Sequence, residues 1–182
     1  MARNDFKLVT PTSQCFSTKW LVAAGAQGSS GGGGYRGEPW VSYLATASQT
    51  GIVKVAADGA GVIGTTAATN GRFVGIAKSD STQTASVAGV VYTWLPLPGI
   101  VYSGKPKTSG AANTDAEIDA LRGAAVVFDL SAATSGTYSI DSAATDAAAN
   151  AIVIVGGDAK SDTLHWVVKP TWSFLGNTST LS

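Results

Sequence analysis

Residues 71–102 of the 182-residue chain decide the fold, and they read G-R-F-V-G-I-A-K-S-D-S-T-Q-T-A-S-V-A-G-V-V-Y-T-W-L-P-L-P-G-I-V-Y. Apolar runs at 73–78 and 87–95 are separated by polar residues typical of a turn, and a third run follows a Pro/Gly corner at 100–102. Both alternating faces of 87–95 are mostly apolar, which predicts a strand buried on two sides. The stretch therefore predicts three successive strands at the centre of a β-domain.

Further strands are predicted on both sides of this centre from alternating or continuously apolar runs bounded by turn residues. They are residues 40–47, 51–56, 124–130, 136–141, 151–155 and 163–172. In the last of these, Leu164, Trp166, Val168 and Trp172 share one face. The expected fold class is all-β, an antiparallel β-barrel or β-sandwich.

One helix is predicted, at about 115–122. Thr114 and Glu117 have the spacing of a capping box, in which the hydroxyl and the carboxylate each satisfy a backbone N–H. Ile118 and Leu121 share one face, and Gly123 supplies the stop. A helix of about two turns is a connector rather than a layer of the fold.

The N-terminal part of the chain is expected to differ from the rest. Its first 19 residues are polar without a sustained period, and residues 25–37 are rich in glycine, as in a flexible loop. The predicted organisation is an extended N-terminal arm with a Gly-rich loop at 1–36 and a β-domain at 37–175, the latter either single or divided into subdomains at about 37–104 and 124–175.

The charge balance indicates no global attraction to nucleic acid or to an anionic membrane. Lys+Arg and Asp+Glu both total 12, so the formal net charge is zero, and charged residues make up only 13 % of the chain. No apolar run reaches the length of a membrane span. So little surface charge favours a protein that works within an assembly.

The inventory of reactive side chains predicts neither an enzyme nor a metal or cofactor site. Cys15 and His165 are single, which is too few for a thiolate/imidazole zinc site, and no nucleophile elbow or calcium loop occurs. The glycine run matches a dinucleotide pattern only by spacing, because Pro39 follows where a helix should begin. A lone cysteine also allows no intrachain disulfide.

Any working surface is expected near the N-terminus and to contact other protein chains. Of the five tryptophans, Trp20 and Trp40 flank the glycine loop and are the better candidates for such contacts, whereas Trp94 and Trp166 lie in strand patterns typical of a core. The candidate contacts with a partner protein or between subunits are Phe6, Leu8, Phe16, Trp20, Tyr35, Arg36 and Trp40.

A resemblance to a known protein family indicates which partner these residues would contact. Val74-Gly75-Ile76-Ala77, a polar turn and Gly89-Val90-Val91, preceded by residues 51–56 and by Gly37-Glu38-Pro39, resemble the strand pattern of the capsid decoration (cement) proteins of tailed bacteriophages. The resemblance covers about residues 37–104.

The resemblance implies a structural virion protein without enzymatic activity. Such a protein binds the major capsid protein on the outside of the head shell, usually as a homotrimer, and stabilises the shell after synthesis in the host cytoplasm. The alternative is a β-sandwich carbohydrate-binding or adhesin module of a phage fibre or cell surface, in which Trp20 or Trp40 stacks on sugar.

Overall fold

The structure is a computed structural model, and it describes residues 6–22, 36–43, 52–55, 71–82, 84, 86–129, 138–143, 152–170 and 173. Its eleven described strands form two sheets, and the one described α-helix is short. The all-β expectation with a short connector helix is therefore confirmed.

The first sheet is a ring of five strands. They are β2 (Ser17–Val22), β3 (Pro39–Tyr43), β4 (Ile52–Val55), β5 (Gly71–Ala77) and β6 (Gly89–Trp94). The pairing order β2-β4-β3-β5-β6 returns to β2, and only the β2–β4 pair is parallel. The shortest strand pairings in the ring are β2–β4 and β5–β6, with two residue pairs each, and the longest is β2–β6, with six.

The second sheet has six strands in the order β1-β7-β11-β10-β8-β9. They are β1 (Lys7–Leu8), β7 (Tyr102–Gly104), β8 (Ala125–Asp129), β9 (Ser139–Asp141), β10 (Ile152–Asp158) and β11 (Thr163–Val168). Beyond β7, Pro106 forms a parallel bridge with Ile140 of β9. The far edge of the sheet therefore curls round to meet the continuation of β7.

The helix α1 (Asp115–Leu121) begins with the predicted capping box. The Thr114 hydroxyl accepts a hydrogen bond from the Glu117 backbone N–H at 3.3 Å, and the Glu117 carboxylate accepts one from the Thr114 N–H at 3.0 Å. The buried side chain of Ile118 lies against Gly157 of β10, where an added Cβ would be 3.1 Å from its Cδ1. The contact of Ile118 with Gly157 helps to hold the helix on the second sheet, and half-buried Leu121 also packs against the core.

The loop before α1 is held by the turn between β10 and β11. This turn contains a 3₁₀ segment, Ala159–Ser161, followed by Asp162 with φ 47°. The Asp162 carboxylate accepts hydrogen bonds from the backbone N–H groups of Gly110 (2.8 Å) and Ala112 (2.9 Å). Asp162 therefore acts in two ways: its left-handed backbone shapes the hairpin turn, and its carboxylate holds the neighbouring loop.

A cluster of aromatic rings joins the two sheets. Phe73 of β5 lies 5.8 Å from Phe128 and 6.1 Å from both Tyr102 and Trp166, measured between ring centroids. Tyr102 stacks on Trp166 at 4.8 Å. Since Phe73 belongs to the ring and the other three to the second sheet, the sheets share one core.

The two central strands differ in burial from the expectation. Every described side chain of β5 is buried, so this strand is enclosed on both faces. In β6, Val91 and Thr93 are buried, but Tyr92 between them is exposed. The strand predicted to be buried on two sides therefore has one open face, since none of the described residues covers Tyr92 on the outside of the ring.

The described part of the expected N-terminal arm, residues 6–22, packs on the rest of the chain. Lys7 and Leu8 pair with β7, and the six residues of β2 pair with the whole of β6. The Phe6 N–H donates to the Gly37 carbonyl at 3.1 Å, which ties the start of the chain to the start of β3. The backbone of this largely polar segment adds a strand to each of the two sheets.

One glycine is required at the β5–β6 seam. Gly75 has φ 128°, and a Cβ built on it would lie 1.9 Å from the carbonyl oxygen of Trp94. It pairs with Trp40 next to a register shift in the β3–β5 ladder. Only a residue without a side chain permits this bend and this close approach of two strands.

Candidate functional site

Three of the predicted contact residues lie inside the core. Phe6 is 1 % exposed, Trp40 is fully buried, and the Trp20 indole N–H donates to the Thr93 hydroxyl at 2.9 Å. The same hydroxyl donates to the Val74 carbonyl at 2.8 Å, so Trp20 is bonded to the interior of the ring. These side chains are already enclosed by their own chain and have no surface to offer another one.

The other predicted contact residues are distributed differently. Phe16 is 67 % exposed, whereas Leu8 is half-buried against the core. Arg36 is exposed, and its backbone N–H donates to the Asp80 carboxylate at 2.8 Å. Tyr35 lies outside the described residues. Of the candidates, Phe16 is thus the clearest apolar side chain facing solvent.

The structure shows an apolar surface that the sequence interpretation missed, on the outside of the β2–β6 pair. Leu21 is 62 % exposed and Tyr92 43 % exposed. Leu21 is directly opposite the half-buried Val90, and Tyr92 is opposite Lys19, so all four side chains share one face. This outer face of β2 and β6 presents two large apolar residues to solvent beside a single charge.

Two more exposed apolar residues flank the outer face. Phe16 precedes β2 and accepts a hydrogen bond from the Leu95 N–H at 2.9 Å, which places it at one end of the pair. Val87, 59 % exposed, precedes β6 at the other end. The six residue pairs of β2 and β6, at about 3.3 Å each, form a ladder roughly 20 Å long between these two flanking residues. We call the outer face with its two flanking residues the β2–β6 stripe: Phe16, Lys19, Leu21, Val87, Val90 and Tyr92.

Alternation within β2 was the signal that could have revealed the stripe. Trp20 and Val22 are buried while Lys19 and Leu21 are exposed, the period-2 pattern of a half-buried strand. The segment was not recognised as a strand, because it runs directly into the glycine-rich region. The exposure of Tyr92 is hidden for a different reason: its neighbours are so apolar that the sequence pattern predicts burial on both faces of the strand.

The titratable groups of the described residues serve the fold. Burial raises the pKa of the Cys15 thiol, the opposite of the shift that activates a nucleophile, and its Sγ donates to the Pro11 carbonyl at 3.3 Å. A hydrogen bond to Asp141, at 2.9 Å, raises the pKa of Lys107 and holds its charge beside β9. His165 is half-buried in the middle of β11.

Acidic and metal-binding side chains are dispersed. Across the described ranges, no group of three or more His, Cys, Asp or Glu side chains could hold a metal ion. Of the two glutamates, Glu117 belongs to the capping box and Glu38 is fully buried at the start of β3. Within the same ranges, no helix has the length and apolar character needed to cross a membrane.

The chain was compared with three sets of known proteins. Searches of protein-family models, of curated proteins and of solved structures returned no significant match to the chain. The functional argument therefore depends on the surface chemistry of the chain itself.

Proposed function

We propose that this chain is a structural, non-enzymatic protein that decorates the outside of a bacteriophage capsid and stabilises the shell. The observation that carries the proposal is the β2–β6 stripe, whose largest exposed side chains are apolar on an otherwise compact β-body. Contiguous exposed apolar surface is typical of protein–protein contact sites. The low charge of the chain supports a surface that is covered in an assembly.

The strand resemblance supports the same class of protein. Its two motifs, Val74–Ala77 and Gly89–Val91, occupy the neighbouring strands β5 and β6, and Gly75 makes their close approach possible. The second motif belongs to the strand that presents the stripe. In this proposal β5 forms the rigid centre, β6 carries the contact face, and the partner is the major capsid protein, bound by a homotrimer on the virion surface.

The contact would be anchored by Leu21 and Tyr92. Large side chains that become fully enclosed at the centre of an interface contribute most to affinity, and aromatic residues are enriched among them. The cross-strand neighbours Val90 and Lys19 surround them. A partner surface with an apolar depression and an acidic rim would match this arrangement.

The test is co-sedimentation of the purified protein with expanded capsids of the phage that encodes it, followed by electron microscopy and a heat-resistance assay. The double variant Leu21→Ser/Tyr92→Ser should bind about tenfold more weakly or worse and leave the capsids heat-sensitive. Val9→Ser is the matched control, since Val9 is 42 % exposed but lies next to β1, outside the stripe. All three substituted side chains face solvent, so the circular dichroism spectrum and melting temperature of both variants should match those of the wild type.

Full decoration by the double variant would overturn the assignment of the stripe, and failure of the wild-type protein to bind would overturn the proposed function. Deletion of residues 1–36 is a poor test, because it removes β1 and β2 together with Phe6 and unfolds the body itself. Light scattering of the free protein tests the proposed trimer.

The glycan-binding alternative depends on Trp20 and Trp40 as sugar-stacking residues. Trp20 and Trp40 are enclosed in the core, so neither presents a ring face to a sugar. Trp94 is half-buried with the Lys78 ammonium 4.6 Å above its ring. No described tryptophan therefore forms an open stacking platform.

A further inference from the structure

A cleft of about 450 Å³ lies at the junction of the two sheets, on the opposite sheet edge from β9. β1 contributes Lys7 and Leu8 from the second sheet, whereas β5 and β6 contribute Ile76 and Trp94 from the ring. Its remaining lining residues are Phe6, Thr12, Arg36, Gly37, Ala77 and Lys78. The volume is in the range of sites that take a small ligand or one or two side chains of a partner.

The charged residues that line this cleft are all basic. Three of the 12 basic residues of the chain, Lys7, Arg36 and Lys78, line it, and none of its lining residues is acidic. The carboxylate of Asp80 is nearby, since it accepts a hydrogen bond from the Arg36 backbone N–H at 2.8 Å. No carboxylate of the described residues pairs with Lys7 or Lys78, so two lysine charges remain for an external anion.

The position of one lysine is fixed by an aromatic ring. The Lys78 ammonium lies 4.6 Å from the centroid of the Trp94 ring, within the distance of a cation–π interaction. The interaction orients the charge at the cleft without neutralising it. Next to it, half-buried Leu8 and Trp94 provide apolar lining. The cleft thus combines an apolar wall with placed positive charge in a protein whose net charge is zero.

We propose that the cleft binds an acidic peptide segment, with a carboxylate at Lys7 and Lys78 and an adjacent apolar side chain against Leu8 and Trp94. Each half of this ligand matches one half of the lining. Free phosphate would leave the apolar wall unmatched. Nucleic acid is disfavoured because the chain has no net positive charge, and Lys78 already covers one face of the Trp94 ring.

The experiment titrates ¹⁵N-labelled protein with a short capped peptide that alternates glutamate and leucine, and follows the Trp94 indole and Lys78 amide signals by NMR. The same peptide with glutamine in place of glutamate, and inorganic phosphate, are the comparison probes. The glutamate peptide should shift these signals at lower concentration than either probe. Its affinity should fall when salt is raised, because partly exposed charges are screened.

Charge-removing variants locate the site. Lys7→Gln and Lys78→Gln should each weaken the glutamate peptide about two- to fivefold. Lys160→Gln is the matched control, since Lys160 is exposed in the 3₁₀ turn between β10 and β11 and does not line the cleft; it should leave affinity unchanged.

Equal binding of the glutamine peptide, or an unchanged affinity in both cleft variants, would overturn the proposal. Phosphate that binds as well as the glutamate peptide would replace it with a simple anion site. The assay uses free protein and a synthetic probe. It therefore gives the same result whether or not the chain decorates a capsid, and a failure here is distinguishable from a failure of capsid binding.

Discussion

Replacing Phe6 with alanine should destabilise the whole protein, although Phe6 lies in a segment whose sequence predicts an arm. Its ring is 1 % exposed and lies 5.1 Å from Phe128, 5.4 Å from Trp166 and 6.1 Å from Tyr138, between centroids. The three partners come from the second half of the chain. The substitution therefore removes a ring from the centre of the shared core.

The expected cost follows from the size of the cavity and the rigidity of its walls. Truncation of a buried phenylalanine costs about 3–5 kcal/mol. The upper half of this range applies here, because the neighbouring rings are fixed by strand pairing and cannot collapse into the space. For a chain of 182 residues the melting temperature should fall by roughly 8–20 °C.

Urea unfolding followed by circular dichroism measures the effect, with Phe16→Ala as the matched control. Phe16 belongs to the same N-terminal segment but is 67 % exposed, so its truncation should change the free energy of unfolding by no more than about 0.5 kcal/mol. If Phe6→Ala is as stable as Phe16→Ala, the N-terminal segment does not belong to the core and the reasoning fails.

A double-mutant cycle with Gly104 tests the contact itself. A Cβ at Gly104 would lie 2.5 Å from Cδ1 of Phe6, so Gly104→Ala alone should cost about 1–3 kcal/mol by overpacking. In the Phe6→Ala background the added methyl group enters the vacated space, and this cost should disappear. Additive effects of the two substitutions would show that the two residues are not in contact.

Two further substitutions test the backbone geometry. Gly75→Ala should prevent the native fold, because the added Cβ would overlap the Trp94 carbonyl oxygen; the effect would be seen as a loss of dispersed NMR signals. Gly99→Ala is the control: Gly99 has φ 85° but open space around it, so the substitution should cost only about 1–2 kcal/mol. Equal costs of the two substitutions would contradict the proposed clash. Asp162→Asn removes the charge and leaves one acceptor oxygen for two N–H groups, so we expect a loss of about 1–2 kcal/mol and faster hydrogen exchange at the two loop amides; unchanged protection of those amides would refute their dependence on the carboxylate.

The sequence was most informative where structure depends on neighbouring residues. The capping box at Thr114 and Glu117 predicted α1 to within one residue, because its hydrogen bonds join residues three apart. The alternation of β11 also gave its buried face, with Leu164 and Trp166 inside. In both cases the local pattern and the final environment impose the same requirement.

It was least informative where structure depends on a distant partner. β2 is a strand because it pairs with β6, about 70 residues further on, and nothing within its own six residues shows that partner. The exposure of Tyr92 likewise depends on which layer covers the ring. Candidate contacts chosen by residue type were therefore partly core residues, while Leu21 and Tyr92 of the stripe were found only from the packing.

The position of Phe6 also determines when the protein can finish folding. Synthesis runs from the N-terminus, so Phe6 is made well before its ring partners Phe128, Tyr138 and Trp166. Its place in the core is complete only after Trp166 has been synthesised. Until then the nascent chain carries an unplaced phenylalanine close to β2, a strand whose own partner β6 arrives about 70 residues later. The core that joins the two sheets can therefore close only after β11, which carries Trp166, has been made.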